Sequence, residues 1–375
     1  MSNLYFCGCD CENLVFYGPG CHQGHPMNQR QLHSPNASRR DLLRGLAATL
    51  PMTLLAQPRK RGRIDVHHHM LPPFQPNMAE RQYAPQASLD AMDKFGTEQA
   101  ILSLTIAGEY LYDGSEKANK FARETNEYGA KAMQLNPRRL GFFAALPGRN
   151  IDASLKEIEY SFDTLKCDGV ALFTNLGDKW WGDPTFVPIF DELNRRKSAV
   201  FFHPTVANCC HNLAGLGDGV VEFDFDTTRT VVSLLYNGVL ARCQDIRWIV
   251  NHSGAAIPAL AGRIKDRVPG HTTNSSGPVN AIVGKSTEGQ GEKTPNGVYA
   301  ELKRLYYECA HAAYPMPIAA LRAFAPPTQF LFGTDFPIEP MESTVRQIPG
   351  LRLPSNVQYA LDRGNAERLW PRFKM

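Results

Sequence analysis

Short runs of β-branched and aromatic residues alternate with helical patterns along the chain from residue 63 onward. Eight runs predict strands, and several are almost continuously apolar, as is typical of parallel strands covered by helices. The predicted strands are residues 63–66, 99–106, 140–146, 169–174, 199–203, 247–251, 305–308 and 330–333. Helical patterns lie between them, for example at residues 118–136, 151–165, 186–196 and 227–242. Eight βα units favour an α/β fold of the (β/α)8 TIM-barrel type over a doubly wound sheet.

The stretch before this alternation predicts a leader. The first 36 residues show no periodicity and mix Gly, Cys, Asn and Pro, so no stable fold is expected there. Arg39 and Arg40 then precede a mildly apolar run, which resembles a bacterial twin-arginine export signal; an amphipathic surface helix is the alternative. The run is too short to span a bilayer permanently. We expect residues 1–58 to direct export to the periplasm, with a cytoplasmic protein as the alternative, and residues 59–375 to form the barrel.

The composition is that of a soluble globular enzyme, with 43% hydrophobic and 21% charged residues. The net charge of +3 arises near the N-terminus, because residues 1–63 contain eight Lys or Arg against three Asp or Glu. The rest, with 32 against 34, is close to neutral and does not indicate nucleic acid as a partner. The nine cysteines include no C-x-x-C pair, so buried thiols are expected rather than a disulfide framework or a zinc ribbon.

Three consecutive histidines follow the first predicted strand. Because side chains alternate faces along a strand, His67 and His69 point one way and His68 the other. Two imidazoles on one face, about 6–7 Å apart at the backbone, can share a metal ion. Taken alone, the stretch is equally consistent with a polar strand end that meets solvent.

Other predicted strands also end in, or are followed by, a residue that can bind a metal ion. Strand five ends in His203, strand six is followed by His252, and strand eight is followed by Asp335. Because the C-terminal strand ends of such a barrel converge on one mouth, these residues and the first histidine pair are expected to lie together and to form a metal site. Imidazole with carboxylate suits Zn²⁺, and Mn²⁺ is a plausible substitute. Four further histidines lack a motif and are interpreted as structural or surface residues: His68, His211, His271 and His311.

These strand ends resemble the motifs of the amidohydrolase superfamily and, within it, of the ACMSD-like branch of non-oxidative aromatic decarboxylases. The motifs are Asp65-x-His67-x-His69, the strand-five His203, Asn251-His252-Ser-Gly and Gly333-Thr-Asp335-Phe-Pro. Further matches resemble 6-methylsalicylate decarboxylase-like proteins: Gly182-Asp-Pro-x-Phe, His203-Pro-Thr with Cys209-Cys210, Phe225-Asp-Thr-Thr-Arg229 and Leu302-Lys-Arg-Leu-Tyr-Tyr. The resemblance covers residues 63–370, essentially the whole predicted barrel.

The resemblance implies one divalent metal ion, expected to be Zn²⁺ with Mn²⁺ possible, and His252 as a nearby acid or base. The implied metal ligands are His67, His69, His203 and Asp335. The carbamylated lysine of two-metal relatives has no candidate, since strand four ends in Ala171-Leu-Phe-Thr174. The implied reaction is decarboxylation of an ortho-hydroxy aromatic acid, with 6-methylsalicylate giving 3-methylphenol and CO₂ as the expected case. Hydrolysis of a lactone, amide or ester is the alternative, and a non-catalytic binding protein with a vestigial site is a third possibility.

Decarboxylation requires a proton at the ring carbon that loses its carboxyl group, and the proton donor must lie within about 3–3.5 Å of it. His252 or Asp335 could supply this proton. The resemblance leaves two routes open, one with the histidine as base towards water and one with direct protonation of the ring by the aspartate. Several aromatic side chains offer flat walls for a ring, although core packing is the alternative for each: Phe74, Trp180, Trp181 and Phe336.

Two arginines are candidates for binding the substrate carboxylate. Arg229 either neutralises that group or forms an ion pair at the start of its helix. In similar relatives, an arginine at the position of Arg263 reaches across a dimer to the substrate. The resemblance therefore implies a homodimer that binds a small aromatic acid, with pairing of Arg263 to Asp266 or to solvent as the alternative.

Overall fold

Eight parallel strands form a nearly closed barrel in the computed structural model, which describes residues 61–75, 84–105, 108–177, 179–210, 213–267 and 293–374. Their spatial order is the order of the chain, and every neighbouring pair is parallel. The strands are β1 (Arg63–Met70), β2 (Thr97–Leu104), β3 (Leu140–Ala145), β4 (Gly169–Phe173), β5 (Ala199–His203), β6 (Arg247–Val250), β7 (Tyr306–Glu308) and β8 (Phe330–Leu331). The predicted (β/α)8 barrel is confirmed.

The first and last strands meet along the seam of the barrel. Val66 N donates to Phe332 O at 3.0 Å, and His69 N donates to Phe336 O at 2.7 Å. These backbone hydrogen bonds bring the segment after β8 beside β1. Closure in this order places all eight C-terminal strand ends at one mouth.

Helices lie between the strands and after the last one. They are α1 (Pro85–Phe95), α2 (Gly108–Leu111), α3 (Glu116–Leu135), α4 (Ile151–Asp163), α5 (Val187–Arg195), α6 (Glu222–Tyr236), α7 (Val239–Arg242), α8 (Ile257–Arg267), α9 (Val298–Lys303), α10 (Pro315–Phe324), α11 (Met341–Gln347), α12 (Ser355–Tyr359) and α13 (Asn365–Leu369). Short 3₁₀ turns occupy Pro184–Phe186, Asp218–Val220, His252–Gly254, Pro327–Gln329, Ile348–Leu351 and Pro371–Lys374, and a π turn occupies Ala360–Gly364. Among the described helices, none has both the length and the apolar character needed to cross a membrane.

Local sequence sets where several helices begin. Ser115 accepts a hydrogen bond from Ala118 N at the start of α3, and Asn150 does the same for Ala153 N at the start of α4, both at 3.1 Å. Such caps satisfy backbone donors that have no partner within the helix. The predicted helix at residues 227–242 is instead two helices, because Gly238 adopts a φ of 72° between α6 and α7.

The core has an inner and an outer layer. Ile64, Phe143 and Ile249 belong to the cluster inside the barrel, and a larger cluster packs between the strands and the helices. Trp370 and Phe373, in the C-terminal segment, pack into the inner cluster. This segment closes the barrel at the end opposite the polar mouth.

Some predictions lie outside the described residues: the leader at residues 1–58, and His211 and His271. Cys243 and Cys309 are buried thiols, as expected. Cys209 and Cys210 form a disulfide between neighbouring residues, and Cys209 is exposed, so the expectation of buried thiols is wrong for this pair. Their position on the loop after β5 keeps them out of the core.

Candidate metal centre

Four side chains from three strand ends converge at the mouth of the barrel. His67 and His69 lie on β1, His203 is the last residue of β5, and Asp335 follows β8. Each offers one atom that could bind a metal, and these atoms lie within 4.8 Å of one another. All four side chains are buried. The sequence prediction that these residues lie together therefore holds.

The carboxylate of Asp335 lies at the centre of this group. Its Oδ1 is 2.6 Å from Nε2 of His69, 3.1 Å from Nε2 of His67 and 3.8 Å from Nε2 of His203. The Nε2 atoms of His67 and His69 are themselves 3.1 Å apart. Three imidazole nitrogens and one carboxylate oxygen thus face the same small volume.

The opposite nitrogen of each imidazole has an acceptor outside this volume. His67 Nδ1 lies 2.8 Å from Glu308 Oε1, His203 Nδ1 lies 2.9 Å from Pro204 O, and His69 Nδ1 lies 3.2 Å from Ser103 O. A neutral imidazole that donates from Nδ1 presents a lone pair at Nε2. Three lone pairs and a carboxylate oxygen then face one another, which is favourable only around a cation. These residues fit a divalent metal ion, and their outer hydrogen bonds are those that orient metal-binding histidines.

Buried charge also indicates a cation at this place. Burial alone would lower the pKa of His67, but the charges of Glu308 and Asp335 outweigh it and raise the pKa to about 10. Burial lowers the pKa of His203 to about 3. Burial would raise the pKa of Asp335, yet the facing imidazoles, His67 foremost, hold that pKa well below its usual value. Without a bound cation, His67 itself would carry the positive charge that Glu308 and Asp335 favour at this place, and a bound cation would replace that proton.

His252 lies beside this group on the 3₁₀ turn after β6. Its ring stacks on that of His67, with centroids 5.9 Å apart and planes 13° from parallel. Its Nδ1 is 3.0 Å from Asp224 Oδ1, and its Nε2 is buried without a hydrogen-bond partner in the described part of the chain. The prediction that His252 is a neighbour of the metal ligands agrees with this placement.

His311, which the sequence indicated as a structural or surface residue, is exposed but also contacts the candidate site. Its Nε2 lies 2.6 Å from Asp335 Oδ2, and its ring is 5.0 Å from that of His252. The physical reason is its position three residues after β7, at the same barrel mouth. Burial would lower the pKa of His311, but the hydrogen bond with Asp335 and the charge of that carboxylate raise it.

Glu308, the last residue of β7, was missed by the sequence analysis. Its buried Oε1 accepts hydrogen bonds from His67 Nδ1 at 2.8 Å and from His252 N at 2.9 Å, and its Oε2 accepts from Ala310 N at 2.6 Å. Gly333 leaves room for it, since a Cβ there would lie 2.1 Å from Glu308 Oε2. The available signal was a carboxylate at a predicted strand end, which is the rule that identified the other site residues.

Asp65 and His68 connect the first and last strands. His68 Nδ1 lies 3.0 Å from Asp65 Oδ2, and His68 Nε2 lies 2.6 Å from Ser88 Oγ. Asp65 also accepts from the backbone N of Thr334 at 3.1 Å and from its hydroxyl at 2.5 Å. The side chain of His68 thus points away from those of His67 and His69, as the alternation along the strand predicts. Asp65 holds the loop that presents Asp335.

The amidohydrolase family model matches residues 64–372 of this chain. The chain belongs to the amidohydrolase family. It is 32% identical over 333 residues to the 6-methylsalicylic acid decarboxylase of Penicillium expansum, a match that covers 84% of this chain and 97% of that relative. It is also 32% identical over 344 residues to a decarboxylase of Penicillium terrestre, covering 84% and 96%. These relatives place this amidohydrolase in the decarboxylase branch.

A solved structure supports the fold independently. The 5-carboxyvanillate decarboxylase of Novosphingobium aromaticivorans, crystallised with manganese and 4-hydroxy-3-methoxy-5-nitrobenzoic acid, superposes with a TM-score of 0.70 at 18% identity. The match covers 84% of this chain and 97% of that one. At this identity the likeness shows the barrel fold, not the substrate.

The two arginines predicted to bind substrate differ in their surroundings in this amidohydrolase. Arg229, on α6, has Nη1 3.7 Å from Glu222 Oε2 and 3.8 Å from Asp226 Oδ1, as the ion-pair alternative expects. Arg263, on α8, is exposed. Asp266 pairs with Lys265 at 3.8 Å, and among the described residues no ion pair joins it to Arg263, which agrees with the solvent alternative.

The aromatic candidates divide between core and mouth. Trp181 is fully buried, and its ring centroid lies 4.8 Å from that of Phe186, so it packs in the core. Trp180 donates to Asp226 Oδ1 at 2.8 Å, and Phe74 is 42% exposed. Phe336 is half-buried beside His68 and directly follows Asp335, which keeps it near the mouth.

Proposed function

We propose that this amidohydrolase is a metal-dependent, non-oxidative decarboxylase (a carboxy-lyase) of an ortho-hydroxy aromatic acid. The best substrate candidate is 6-methylsalicylate, which would give 3-methylphenol and CO₂. The observation that carries the proposal is the convergence of three Nε2 lone pairs and a carboxylate beside His252. The 32% identity to the 6-methylsalicylic acid decarboxylase of Penicillium expansum supports the substrate class.

The donor set of His67, His69, His203 and Asp335 supports Zn²⁺, because imidazoles with one carboxylate suit this ion. Mn²⁺ is the alternative, given its presence in the crystal of the 5-carboxyvanillate decarboxylase. When bound, the cation supplies positive charge for the carboxylate and phenolate oxygens of the acid as ring charge develops.

The protein residues around the ligands can hold and move the proton that the ring carbon needs. His252 presents an Nε2 that has no hydrogen-bond partner among the described residues, and Asp335 presents Oδ2, which contacts the exposed His311. We propose that one of these groups first takes up a proton and then returns it to the ring carbon. Phe336, next in sequence to Asp335, is the aromatic side chain we propose as a wall for the ring. Arg229 remains a candidate for the substrate carboxylate, because its Nη1 contacts with Glu222 and Asp226 are longer than hydrogen bonds.

A substrate panel tests this function. Purified protein loaded with Zn²⁺ or Mn²⁺ is given ortho-hydroxybenzoates, including 6-methylsalicylate, and a set of lactones, amides and esters. We expect CO₂ release from the ortho-hydroxybenzoates and at most slow hydrolysis of the others. Fast hydrolysis without CO₂ release would favour the hydrolase alternative, and inactivity on both sets would favour a binding protein.

A homodimer in which Arg263 enters the partner's site is part of the proposal. The exposed guanidinium on α8 supports it, since a planar fork can bind a carboxylate bidentately. Arg263→Ala should raise KM and leave the metal content unchanged. Arg322 is another exposed arginine, and Arg322→Ala should leave both KM and the metal content unchanged. Mixing Arg263→Ala with His252→Ala chains should restore part of the activity. No recovery in verified mixed dimers would contradict a shared site.

Export by the twin-arginine route is also proposed, supported by Arg39 and Arg40 before the apolar run. Replacing both arginines by lysine should keep the enzyme in the cytoplasm and leave the N-terminal stretch uncleaved. The fractionation of wild-type protein gives the reference. Wild-type enzyme found in the cytoplasm with an intact N-terminus would contradict the export signal.

A further inference from the structure

Asp224 contacts the acid/base candidate from a different part of the barrel. It lies in the first turn of α6, after β5, whereas His252 lies on the turn after β6. Asp224 Oδ1 is 3.0 Å from His252 Nδ1. The carboxylate is 49% exposed and the imidazole 8% exposed, so the pair spans the boundary between solvent and the buried ligands.

This contact decides which nitrogen of His252 is available for chemistry. If Nδ1 donates its hydrogen to the carboxylate, the lone pair of the neutral ring lies on Nε2. That Nε2 is buried and has no partner among the described residues. The ring stacks on His67 on one side and meets the edge of His311 on another. Asp224 is therefore the group that selects an unprotonated, inward nitrogen.

The backbone of His252 makes such support necessary. Both His252 and Ser253 have positive φ values, 50° and 55°, which are unfavourable for residues other than glycine. Glu308 holds the backbone N of His252 at 2.9 Å. The neighbouring rings confine the imidazole but do not distinguish its two nitrogens, whereas the contact with Asp224 engages Nδ1 specifically.

We propose that Asp224 is a positioning residue that fixes the orientation and tautomer of His252; its effect on turnover rests on the proposed decarboxylase function. An acidic side chain in the first turn of α6 also stabilises the helix by interacting with its dipole, which would be a purely structural role. The two roles differ in their consequences. A dipole effect would change the free energy of unfolding, whereas a positioning effect would change the orientation and tautomer of the His252 imidazole.

The kinetic test compares three variants of the metal-loaded, full-length protein. Asp224→Ala should lower kcat about 10- to 100-fold, with KM and metal content close to wild type, because the acid or base is misoriented in the transition state. Asp224→Glu, which keeps the carboxylate, should recover part of this loss. Asp218→Asn, in the turn just before α6, removes a charge from the same segment and should leave kcat within about 2-fold.

The tautomer of His252 gives a readout that does not require activity. Protein with ¹⁵N-labelled histidine is recorded at about pH 8.5, where an ordinary imidazole is neutral, and His252→Gln assigns the signal. We expect the proton on Nδ1 in wild type and Asp224→Glu, and a mixed or reversed state in Asp224→Ala. An unchanged tautomer in Asp224→Ala, an unchanged kcat, or a change in KM alone overturns the proposal. A wild type that releases no CO₂ would instead contradict the proposed function, and the labelled spectra would still decide the role of Asp224.

Discussion

Buried carboxylates help determine which nitrogen of each imidazole at the barrel mouth carries a proton. Glu308 accepts from Nδ1 of His67, and Asp335 faces the Nε2 atoms of the three histidines. In each of these three imidazoles, Nδ1 contacts an acceptor outside the candidate metal centre. Nε2 then faces the centre and is the nitrogen that could bind a metal ion. We therefore propose metal binding by His67, His69 and His203 and proton chemistry by His252.

That separation predicts different losses in two variants. His67→Ala removes a ligand and should abolish tight metal binding, whereas His252→Ala should keep about one metal ion per chain and lose turnover by about 100-fold or more. Elemental analysis and kcat on the same preparations test this difference. Full metal in His67→Ala, or a near-normal rate in His252→Ala, would contradict the assignment.

Glu308→Gln tests the outer support of the metal ligands. The amide keeps the shape but presents a donor where His67, His252 and Ala310 already donate, so one of these N–H groups loses its acceptor. We expect metal affinity to fall about 10- to 100-fold, as measured by competition with a chelator.

Glu301→Gln is the matched control. Glu301 is an equally buried carboxylate on α9, bonded to Arg304 rather than to the site. This variant should lose stability while retaining wild-type metal affinity. Equal affinities in Glu308→Gln and wild type would show that Glu308 does not orient His67.

The sequence could predict the residues at strand ends but not their hydrogen bonds. His203 and Asp335 were predictable because apolar strands end beside them, and parallel strands share one mouth. Glu308 and His311 obey the same rule, because the predicted strand at residues 305–308 ends at Glu308, so both residues were equally predictable. The pairing of Asp224 with His252 depends on how α6 packs beside the turn after β6, which no local pattern encodes.

At the scale of elements, the strands were predictable because their apolar runs match burial on both faces. β1 is longer than predicted, since its polar histidines are buried with hydrogen-bond partners and continue the strand. α6 begins at Glu222 rather than at residue 227. The hydroxyls of Thr227 and Thr228 bond to carbonyls within the helix, so residues that favour turns are accommodated there.

An ion-pair cluster between α4 and α5 gives an element-scale prediction. Hydrogen bonds from Arg195 and then Arg196 lower the pKa of Glu192 to about 2, and Arg196 also bonds Asp163 on α4. A carboxyl whose pKa is lower in the folded state stabilises the fold above its unfolded pKa of 4.5 and loses this contribution as pH falls towards 2.

The matching measurement is the unfolding free energy of metal-free wild type and Glu192→Gln at neutral pH and near pH 3. Because Glu192 and its arginine partners are near the surface, the unfolding free energy of the variant at neutral pH should be about 1 kcal/mol lower than that of wild type. This difference should shrink in acid. A difference that is the same at both pH values would contradict the ion-pair account.

In the whole barrel, one end is closed by apolar side chains and the other end carries the candidate metal centre. The C-terminal segment seals the bottom through Trp370 and Phe373, with Arg372 bonded to Asp168. The fold and the family were predictable from strand alternation and strand-end motifs. The assembly state was not, because an exposed arginine such as Arg263 has the same local sequence whether it meets solvent or a partner subunit.

We propose that the residues at this barrel mouth decarboxylate an ortho-hydroxy aromatic acid with a bound divalent metal and return a proton to the ring. The most direct measurement is the reaction of metal-loaded protein with 6-methylsalicylate in D₂O, followed by mass and NMR analysis of the products. We expect equimolar CO₂ and 3-methylphenol, with deuterium at the ring carbon that carried the carboxyl group, and no reaction without metal. Metal-loaded protein that releases no CO₂ from this or any other ortho-hydroxybenzoate, while it hydrolyses a lactone, would contradict it.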